Sequence, residues 1–463
     1  MTAILITAGV LLFHMLGVFA AMHAVMHTRT PQGAIGWVLG LVLLPYVTLL
    51  PYLYLGSNRF LGYTTNPPSR LTSRAPESVV MQAMDPDCAR YASISALQGR
   101  PFRRGHQLKL LIDGDAAFEV MLAAMAEAQH CLLVQFFIFH DDRLGRRVQQ
   151  LLLERAAAGV TVCVLFDGVG SHDLPKSYIE TLRAGGVAIH PFATHRWRNR
   201  FQLNFRNHRK IVVVDGARAF VGGLNVGDEY LGLKPPLAPW RDTHMELRGP
   251  AVSDLQQLFA RDWQWATGAP PPLLPSLACD GHATALIVAS GPADAQETCS
   301  LFFAAAINAA HKRLWITTPY FVPDNAVLAA LRLAVARGVD VRVLIPSRPD
   351  HRTVFLASTL HAHEALGAGI GMFRYQPGFT HQKVLLIDDD TAAIGSMNLD
   401  SRSFRLNFEV SALIVDPSFA REVEAMLTAD FAKALPVDKS EYLDAPYLHR
   451  VAMHVARLFD PLL

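Results

Sequence analysis

The sequence predicts an α/β fold built from two similar halves, preceded by an N-terminal two-helix transmembrane hairpin. Three observations predict it: two long apolar runs at the N-terminus, strand–helix–strand patterns further along, and a repeat that aligns 156–165 with 335–344. The predicted strands are continuous apolar runs, which is typical of sheets covered on both faces. Two such copies in one chain indicate a duplicated domain.

The predicted hairpin is the least charged part of the chain. Residues 1–55 contain one formal charge, Arg29, although 18% of the 463 residues are charged. The apolar runs at 3–25 and 34–55 are each long enough to cross a bilayer as a helix. Pro45 and Pro51 are expected to kink the second helix. A cleaved signal peptide followed by a core helix is the alternative, and the missing basic N-terminal segment disfavours it.

The hairpin also predicts an orientation. Two crossings return the chain to the side of its N-terminus. Arginines are more frequent after the second helix than in the turn, and they include Arg59, Arg70, Arg74 and Arg90. The positive-inside rule therefore places the large C-terminal part in the cytoplasm.

Overall charge and cysteine content exclude several classes of protein. A net charge of +2 and the predicted membrane anchor argue against a nucleic-acid partner held by bulk positive charge. The five cysteines include no CxxC pair, so neither a disulfide framework nor a zinc site is indicated. Reduced structural thiols agree with a cytoplasmic location.

The predicted organisation follows the repeat. In the first half, strands at 131–139 and 160–166 enclose a helix at 146–158; in the second, strands at 314–321 and 339–345 enclose one at 326–336. The predicted units are a transmembrane hairpin (1–57), a connector (58–104), half 1 (105–268), a Pro-rich linker (269–283), half 2 (284–436) and an amphipathic C-terminal segment (437–463).

The C-terminal segment groups its apolar side chains on one helical face. That face carries Leu448, Val451, Ala452, Val455 and Leu458 or Phe459. Two interpretations are open, docking on the body of the protein or lying on a membrane surface. Docking on the body is the default expectation.

Each half carries the same set of polar residues near its C-terminal end. Both copies read H-x-K-x4-D-x6-G-[GS]-x-N, and the residues are His208, Lys210, Asp215 and Asn225 in half 1, and His381, Lys383, Asp388, Ser396 and Asn398 in half 2. Alternation along a strand would point each His and Lys the same way. A histidine can attack phosphorus or donate a proton, and a lysine can stabilise phosphate oxygens. One copy alone could be accidental; two copies at matching positions of a repeat indicate phosphoryl chemistry.

The doubled motif resembles the phospholipase D superfamily, and the resemblance covers essentially the whole chain. The apolar segment TPQGAIGWVLGLVLLPYV, the segment NLDSRSFRLNFEV and the C-terminal ARLFDPLL are similar to membrane-anchored bacterial cardiolipin synthases. The resemblance implies a duplicated phospholipase D-like domain, with two α/β halves whose mixed β-sheets are flanked by helices. It also implies a multi-pass protein of the bacterial inner membrane.

The resemblance implies a two-step exchange without cofactor or metal. One motif histidine attacks the donor phosphodiester and forms a phosphohistidine, and the other protonates the leaving alcohol and deprotonates the incoming one. By analogy His208 is the nucleophile and His381 the acid and base, although the residues themselves leave the reverse assignment open. Lys210, Lys383, Asn225 and Asn398 would bind the phosphate, with Ser396 as a further donor that the corresponding Gly223 lacks.

The family also places an acid downstream of each motif. In this sequence those acids are Asp242 and Glu409, which would orient the histidines; the alternative is that they are ordinary strand acids. Asp215 and Asp388 are retained as site residues but are expected to bond to turn backbone rather than to transfer protons. Tyr320 is the aromatic residue expected to line the site.

The implied substrate is phosphatidylglycerol, two molecules of which would give cardiolipin and glycerol. A basic stretch, 195–209, is either a surface for anionic headgroups or a solvated loop. Alternatives with the same site are a phospholipase D-type hydrolase and a phosphatidylserine synthase. A lipid-binding scaffold without activity is a third alternative, and the intact motifs argue against it.

Overall fold

The fold is described from a computed structural model, which covers residues 1–28, 31–56, 60, 63, 86–192 and 204–463. Arg59, Arg70 and Arg74, most of the predicted connector and the basic residues at 195–200 lie outside the described residues. The predictions made on them stay predictions.

The N-terminal apolar segment forms three helices, α1 (Thr2–His27), α2 (Pro31–Leu43) and α3 (Pro45–Leu55). Within the described part of the chain, Ile4–His27 alone is long and apolar enough to span a membrane, with 24 residues and a mean hydropathy of 2.3. The second apolar run is interrupted at Leu44, because Pro45 has no amide proton and begins a new helix. At 1.5 Å per residue, α2 and α3 are only about 20 and 16 Å long, which is shorter than the hydrocarbon core. The expected break at Pro45 is therefore present, whereas a second continuous spanning helix is not.

The break also changes where the chain leaves this segment. The Tyr46 ring lies 5.4 Å from the His14 ring, and the Tyr52 hydroxyl lies 2.7 Å from His23 Nδ1. The third helix therefore runs in the same direction as α1 and ends near the carboxyl end of α1. The prediction that the N-terminus and the body lie on the same side of a membrane stays a prediction.

Half 1 contains a seven-stranded part of the main sheet and its helices. A 3₁₀ turn at Pro86–Tyr91 and helix α4 (Ala92–Gln98) lie in the connector and pack in the apolar cluster of half 2. The elements of half 1 are β1 (Arg103–Ile112), α5 (Asp113–Ala126), β2 (Cys131–Phe136), α6 (Arg143–Ala157), β3 (Thr161–Asp167), α7 (Lys176–Ala184), β4 (Ala188–Phe192), β5 (Arg206–Asn207), β6 (Ile211–Val214), β7 (Arg218–Gly222), β8 (Trp240–Arg241), β9 (Thr243–Arg248) and α8 (Val252–Thr267).

Half 2 repeats this order. Its elements are β10 (Ala283–Ser290), α9 (Thr298–Asn308), β11 (Arg313–Thr317), β12 (Phe321–Val322), α10 (Asn325–Ala336), β13 (Asp340–Pro346), α11 (Arg352–Gly367), β14 (Gly371–Tyr375), β15 (Phe379–Thr380), β16 (Val384–Ile387), β17 (Thr391–Gly395), β18 (Leu399–Asp400), α12 (Ser401–Arg405), β19 (Asn407–Val415), α13 (Pro417–Phe431), β20 (Ala434–Pro436), α14 (Ser440–Leu443) and α15 (Tyr447–Arg457).

The two halves share one mixed sheet. Its order is β20-β14-β13-β11-β16-β17-β19-β10-β1-β9-β7-β6-β2-β3-β4, so β1 and β10 join two similar arrays. Strands β2, β3 and β4 are parallel, as are β11, β13 and β14, whereas the strands near the junction are antiparallel. The predicted α/β class with mixed sheets and flanking helices is confirmed, and the halves are fused along one sheet.

Apolar side chains fill both faces of this sheet. On one face, α8 and α13 pack across both halves in a common cluster that includes Phe259, Val423 and Phe408. On the other face the two halves have separate clusters, such as Phe118 and Val134 in half 1. Burial of both faces explains why the strands are continuously apolar in the sequence.

The C-terminal helix α15 packs on α11. Met453 and Ala456 of α15 are buried, while Leu448, Val455 and Leu458 are exposed. The segment therefore docks on the body, as expected by default, but not through the apolar face that the sequence predicts.

The motif aspartates end strands β6 and β16 and hold neighbouring turns. Asp215 and Asp388 have φ angles of 52° and 53°, a left-handed conformation that Asp tolerates better than most residues. The Asp215 carboxylate accepts bonds from the backbone N–H groups of residues 129–131, and Asp388 accepts them from residues 311–313. Both contacts fit the structural role expected from the sequence.

Replacing Asp388 with Ala should therefore lower stability much more than replacing its neighbour Asp389. The first change removes an acceptor for three backbone N–H groups and the partner of Arg90, at a cost of about 2–4 kcal/mol. Asp389 is exposed and pairs with Lys312 at the surface, so its loss should cost less than about 1 kcal/mol. Thermal unfolding of the two full-length variants in detergent measures the difference. Equal melting temperatures would contradict the assigned role of Asp388.

Candidate active site

The two motifs lie in short connections at the centre of the sheet. His208 and Lys210 lie between β5 and β6, and His381 and Lys383 lie between β15 and β16. The sequence predicts that each His and Lys lies on the same strand as the apolar residues that follow. That prediction is wrong, because strands β6 and β16 begin pairing one residue after each lysine. These connections bring the motifs of both halves together.

Two short strand pairs cross between the halves and determine which residues meet. Strand β5 of half 1 pairs in parallel with β19 of half 2, with Asn207 opposite Phe408. Strand β15 of half 2 pairs in parallel with β8 of half 1, with Thr380 opposite Arg241. One residue further along each pair, a histidine of one half meets an acid of the other.

Both histidines are held by carboxylates of the opposite half. His208 Nδ1 lies 3.0 Å from both carboxylate oxygens of Glu409, and His381 Nδ1 lies 2.7 Å from Asp242 Oδ2. The carboxylates are fully buried. Each histidine therefore donates its Nδ1 proton, which leaves Nε2 with a lone pair. Within the described residues, no hydrogen bond to either Nε2 is present.

The two lysines add buried positive charge beside the histidines. Lys210 Nζ donates to the His208 carbonyl at 2.7 Å, and Lys383 Nζ donates to the His381 carbonyl. Burial lowers the pKa of Lys383 to about 8, and burial holds the pKa of Lys210 still further below its ordinary value. An anion that enters the site would restore the favourable environment for both ammonium groups.

The two carboxylates differ in their surroundings. Glu409 accepts bonds from Ser396 Oγ, Ser403 Oγ and Asn407 Nδ2 in addition to His208. Burial acts to raise the pKa of Glu409, but His208, Lys210 and Ser396 outweigh it and hold the pKa below its ordinary value. Glu409 is thus the more firmly ionised of the two acids.

Asp242 has fewer partners. It accepts a bond from the Thr243 N–H and from His381, and burial raises its pKa despite Lys383. A Cβ at Gly223 would lie 2.1 Å from Asp242 Oδ1, so only glycine fits there. The Gly223–Ser396 difference in the sequence thus corresponds to two differently supported carboxylates.

The asparagines are less alike than the motif suggests. Asn225 Oδ1 accepts from the Ile138 N–H at 3.2 Å, and Asn225 Nδ2 donates to the Tyr230 hydroxyl at 2.9 Å. Asn398 Oδ1 is buried and has no hydrogen-bond partner among the described residues. The two motif asparagines are therefore held differently, because Asn225 is fixed through both side-chain polar atoms.

Several residues near the site were not singled out from the sequence. Trp240 lies 5.1 Å from the His381 ring and Phe137 lies 5.0 Å from the His208 ring, measured between ring centroids. Asp350 interacts electrostatically with His381 and bonds to the hydroxyl of Tyr320, the predicted lining residue. Ser403 and Asn407 were missed because they act through Glu409, and no motif marks them.

The electrostatic balance suits a single phosphodiester. Burial lowers the pKa of His208 to about 4, and burial and both lysines hold that of His381 well below its usual range. Counted as ammonium groups and carboxylates beside neutral histidines, the two lysines offset Glu409 and Asp242, and Asp350 adds one further negative charge. A monoanionic phosphodiester together with one protonated histidine would preserve this balance. Within the described residues, no cluster of three His, Cys, Asp or Glu side chains is arranged to hold a metal ion.

The fold and paired motifs place the chain in a known class. The family model "Cardiolipin synthase, PLD-like domain" matches residues 121–263 and 303–431, which contain both motifs. The chain belongs to this family of phospholipase D-like proteins. Its two matched regions correspond to the two halves of the sheet.

Particular relatives are similar over nearly the entire chain. Cardiolipin synthase A of Pseudomonas aeruginosa is 57% identical over 462 residues, covering 97% of this chain and 94% of that protein. Cardiolipin synthase A of Pseudomonas fluorescens is 55% identical, covering 98% of this chain and 97% of that protein. Among solved structures, phosphatidylserine synthase of Haemophilus influenzae matches with a TM-score of 0.65 at 14% identity, covering 81% of this chain and 100% of that one. That likeness shows the fold.

The crossed contacts predict a selective spectroscopic effect. In Glu409→Gln, the hydrogen-bonded Nδ1 proton of His208 should move or disappear from the proton NMR spectrum, while that of His381 stays in place. Asp242→Asn should do the reverse, and His208→Ala and His381→Ala assign the two signals. Turnover should fall about 10²–10⁴-fold in each acid variant, because the wrong histidine tautomer is favoured. An effect of Glu409→Gln on His381 alone would contradict the pairing.

Burial of Lys383 predicts weaker phosphate binding at alkaline pH. Its lowered pKa means that the cation is present below about pH 8 and is lost as the pH rises through that value. The inhibition constant of an uncleavable phosphonate analogue should then increase by up to about tenfold per pH unit above this point. In Lys383→Arg this rise of the inhibition constant with pH should be absent, because arginine stays charged. An inhibition constant independent of pH up to about pH 10, near the ordinary lysine pKa, would contradict the prediction.

Proposed function

We propose that this chain is a cardiolipin synthase that transfers a phosphatidyl group from one phosphatidylglycerol to another, giving cardiolipin and glycerol. The observation that carries the proposal is the pair of histidines, each held through Nδ1 by a buried carboxylate, with two buried lysines beside them. The similarity to cardiolipin synthases over nearly the whole chain supports this choice of substrate.

In the first step His208 Nε2 attacks the donor phosphorus. A P–N bond forms, the bond from phosphorus to the glycerol oxygen breaks, and protonated His381 gives its proton to that oxygen. Lys210 and Lys383 stabilise the charge on the nonbridging oxygens. The product of this step is a phosphatidyl-histidine and free glycerol.

In the second step the hydroxyl of another phosphatidylglycerol replaces glycerol. His381 Nε2 takes the hydroxyl proton, the oxygen attacks phosphorus, and the P–N bond to His208 breaks. One phosphodiester has been exchanged for another, so the reaction requires no nucleotide, cofactor or metal in this scheme.

The unequal carboxylates support this division of roles. Glu409 is firmly ionised and can balance the positive charge that develops on the His208 ring when it bonds to phosphorus. Burial and the two lysines hold the pKa of His381 well below its usual range, and the negative charge of Asp350 opposes them. In this proposal the bound phosphodiester anion supplies the further negative charge that favours protonated His381. Asn398 adds to the phosphate surroundings on the side of half 2 in this proposal. Ser396 does not, because its hydroxyl donates to Glu409, so it supports the carboxylate that holds His208.

The apolar N-terminus supports attachment to the bacterial inner membrane. In the proposed arrangement α1 spans the bilayer and α2 and α3 form a re-entrant pair beside it. The body then lies in the cytoplasm, as the arginines after the second apolar run favour, and the N-terminus lies on the opposite side.

The first experiment is product analysis with the purified full-length protein. Labelled phosphatidylglycerol in liposomes with a chelator present should give cardiolipin and glycerol, as read by mass spectrometry. Phosphatidic acid alone would identify a hydrolase. Product that appears only with CDP-diacylglycerol and serine would identify a phosphatidylserine synthase. Leu333→Ala, at an exposed position of α10, provides the matched control.

The phosphatidyl-histidine should be detectable directly. Rapid mixing with substrate, alkaline quenching and peptide mass spectrometry should locate the adduct on His208, and His208→Ala should abolish it. Turnover should fall by more than about 10³-fold in both His208→Ala and His381→Ala, because the two histidines act as one unit. An adduct on His381 would reverse the roles, and its absence in an active enzyme would exclude this two-step scheme.

A further inference from the structure

The C-terminal helix α15 carries an apolar face that the body of the protein does not cover. Met453 and Ala456 pack against α11, whereas Leu448 and Leu458 are each 78% exposed. The same exposed face continues through further large apolar side chains: Tyr447, Val451, Val455 and Phe459. Six such side chains on one short segment form a surface that water solvates poorly.

The C-terminus is attached close to the active site. The Arg402 backbone N–H donates to the Leu463 carbonyl at 2.7 Å, and Arg402 Nη1 donates to the Leu462 carbonyl at 3.0 Å. Arg402 belongs to α12, in which the next residue, Ser403, donates to Glu409. The position of α15 is therefore linked to the carboxylate that holds His208.

The same arginine connects the C-terminus to the place where the chain arrives from its apolar helices. Arg402 Nη2 donates to the Asn204 carbonyl at 2.8 Å, and the ring of the adjacent Phe205 lies 5.5 Å from that of Phe60. Phe60 is buried among the aromatic residues of the body. The segment that follows α15 and the point at which the chain joins the body at Phe60 are therefore linked through Arg402 and the Asn204–Phe205 pair.

Chain length places the bilayer near Phe60. Apolar helix α3 ends at Leu55, and five residues later Phe60 is fixed to the body. Five residues span at most about 18 Å in any conformation. A membrane that contains the apolar helices is thus within reach of the exposed face of α15.

We propose that the apolar face of α15, made of Tyr447, Leu448, Val451, Val455, Leu458 and Phe459, inserts into the interfacial layer of the lipid bilayer. The proposal rests on the proposed function, because it requires a membrane-attached enzyme that acts on lipids. Partial burial of such a face beneath the headgroups removes apolar surface from water, and Arg450 near its polar side suits an anionic membrane. The inserted helix holds the site at the membrane surface, where both lipid substrates are located.

Site-specific fluorescence tests the insertion in the full-length protein. Leu448→Cys and Leu458→Cys carry an environment-sensitive dye in a Cys279→Ser background, because the other four cysteines are buried. The proteins are placed in liposomes of phosphatidylethanolamine and phosphatidylglycerol. Blue-shifted emission that spin-labelled lipids quench is expected at both positions. The matched control is Leu333→Cys on α10, which is 57% exposed and should stay in water and unquenched.

An activity comparison tests the consequence. The double variant Leu448→Asp/Leu458→Asp should lose about tenfold or more of its activity on phosphatidylglycerol in liposomes, because charged side chains oppose insertion. With short-chain phosphatidylglycerol dissolved as monomers, its activity should match that of the unaltered protein and of Leu333→Asp. If the double variant loses activity on both substrates, the substitutions have damaged the fold. The fluorescence measurement on the Cys variants then decides whether α15 inserts into the bilayer.

Three results would overturn the proposal. In the first, the dye at both positions of an active enzyme emits as it does in water and is not quenched by the spin-labelled lipids. In the second, the double variant keeps full activity on liposomes. In the third, labelled copies of the protein show energy transfer to one another while the lipids do not quench the dye. The last result would identify the face as a contact between copies of this chain. If the unaltered protein forms no cardiolipin while lipids quench the dye at both positions, the proposed function is wrong. The proposed insertion of α15 is then still supported.

Discussion

Each motif histidine is hydrogen-bonded to a carboxylate from the opposite half of the chain. His208 of half 1 binds Glu409 of half 2, and His381 of half 2 binds Asp242 of half 1. The contacts follow from two short parallel strand pairs that cross between the halves. Neither half contains a complete site, so the joined sheet at β1 and β10 is a condition for the chemistry as well as for stability.

Burial makes this arrangement sensitive to charge. Two lysines, two acids and two histidines are largely removed from water, so every uncompensated charge would be costly. The halves compensate differently, because Glu409 has three further hydrogen-bond donors while Asp242 lies against Gly223. A duplicated domain has thus acquired two non-equivalent histidines, as a reaction with a nucleophile and a separate acid requires.

The apolar N-terminal helices and the site are connected through a few residues. Phe60 packs on Phe408, which precedes Glu409, and the Tyr63 hydroxyl donates to Asp262 at 2.6 Å. Asp262 in turn holds Asn207 and Arg209 on either side of His208. The chain that leaves the apolar helices therefore packs directly against the support of one histidine, which fits an enzyme whose substrates are lipids.

The residue types and the repeat could be read from the amino-acid sequence alone. Apolar strand runs predicted the α/β class, the duplicated H-x-K-x4-D pattern located both histidines and lysines, and Pro45 indicated an interruption, because these features depend on local chemistry. Three features became visible in the folded chain alone: the acids exchange partners between halves, the second apolar run turns back at Leu44, and α15 docks through Met453 and Ala456 while its apolar face is exposed. Those outcomes depend on strand pairing and packing between residues far apart in the chain, for which local periodicity carries no information.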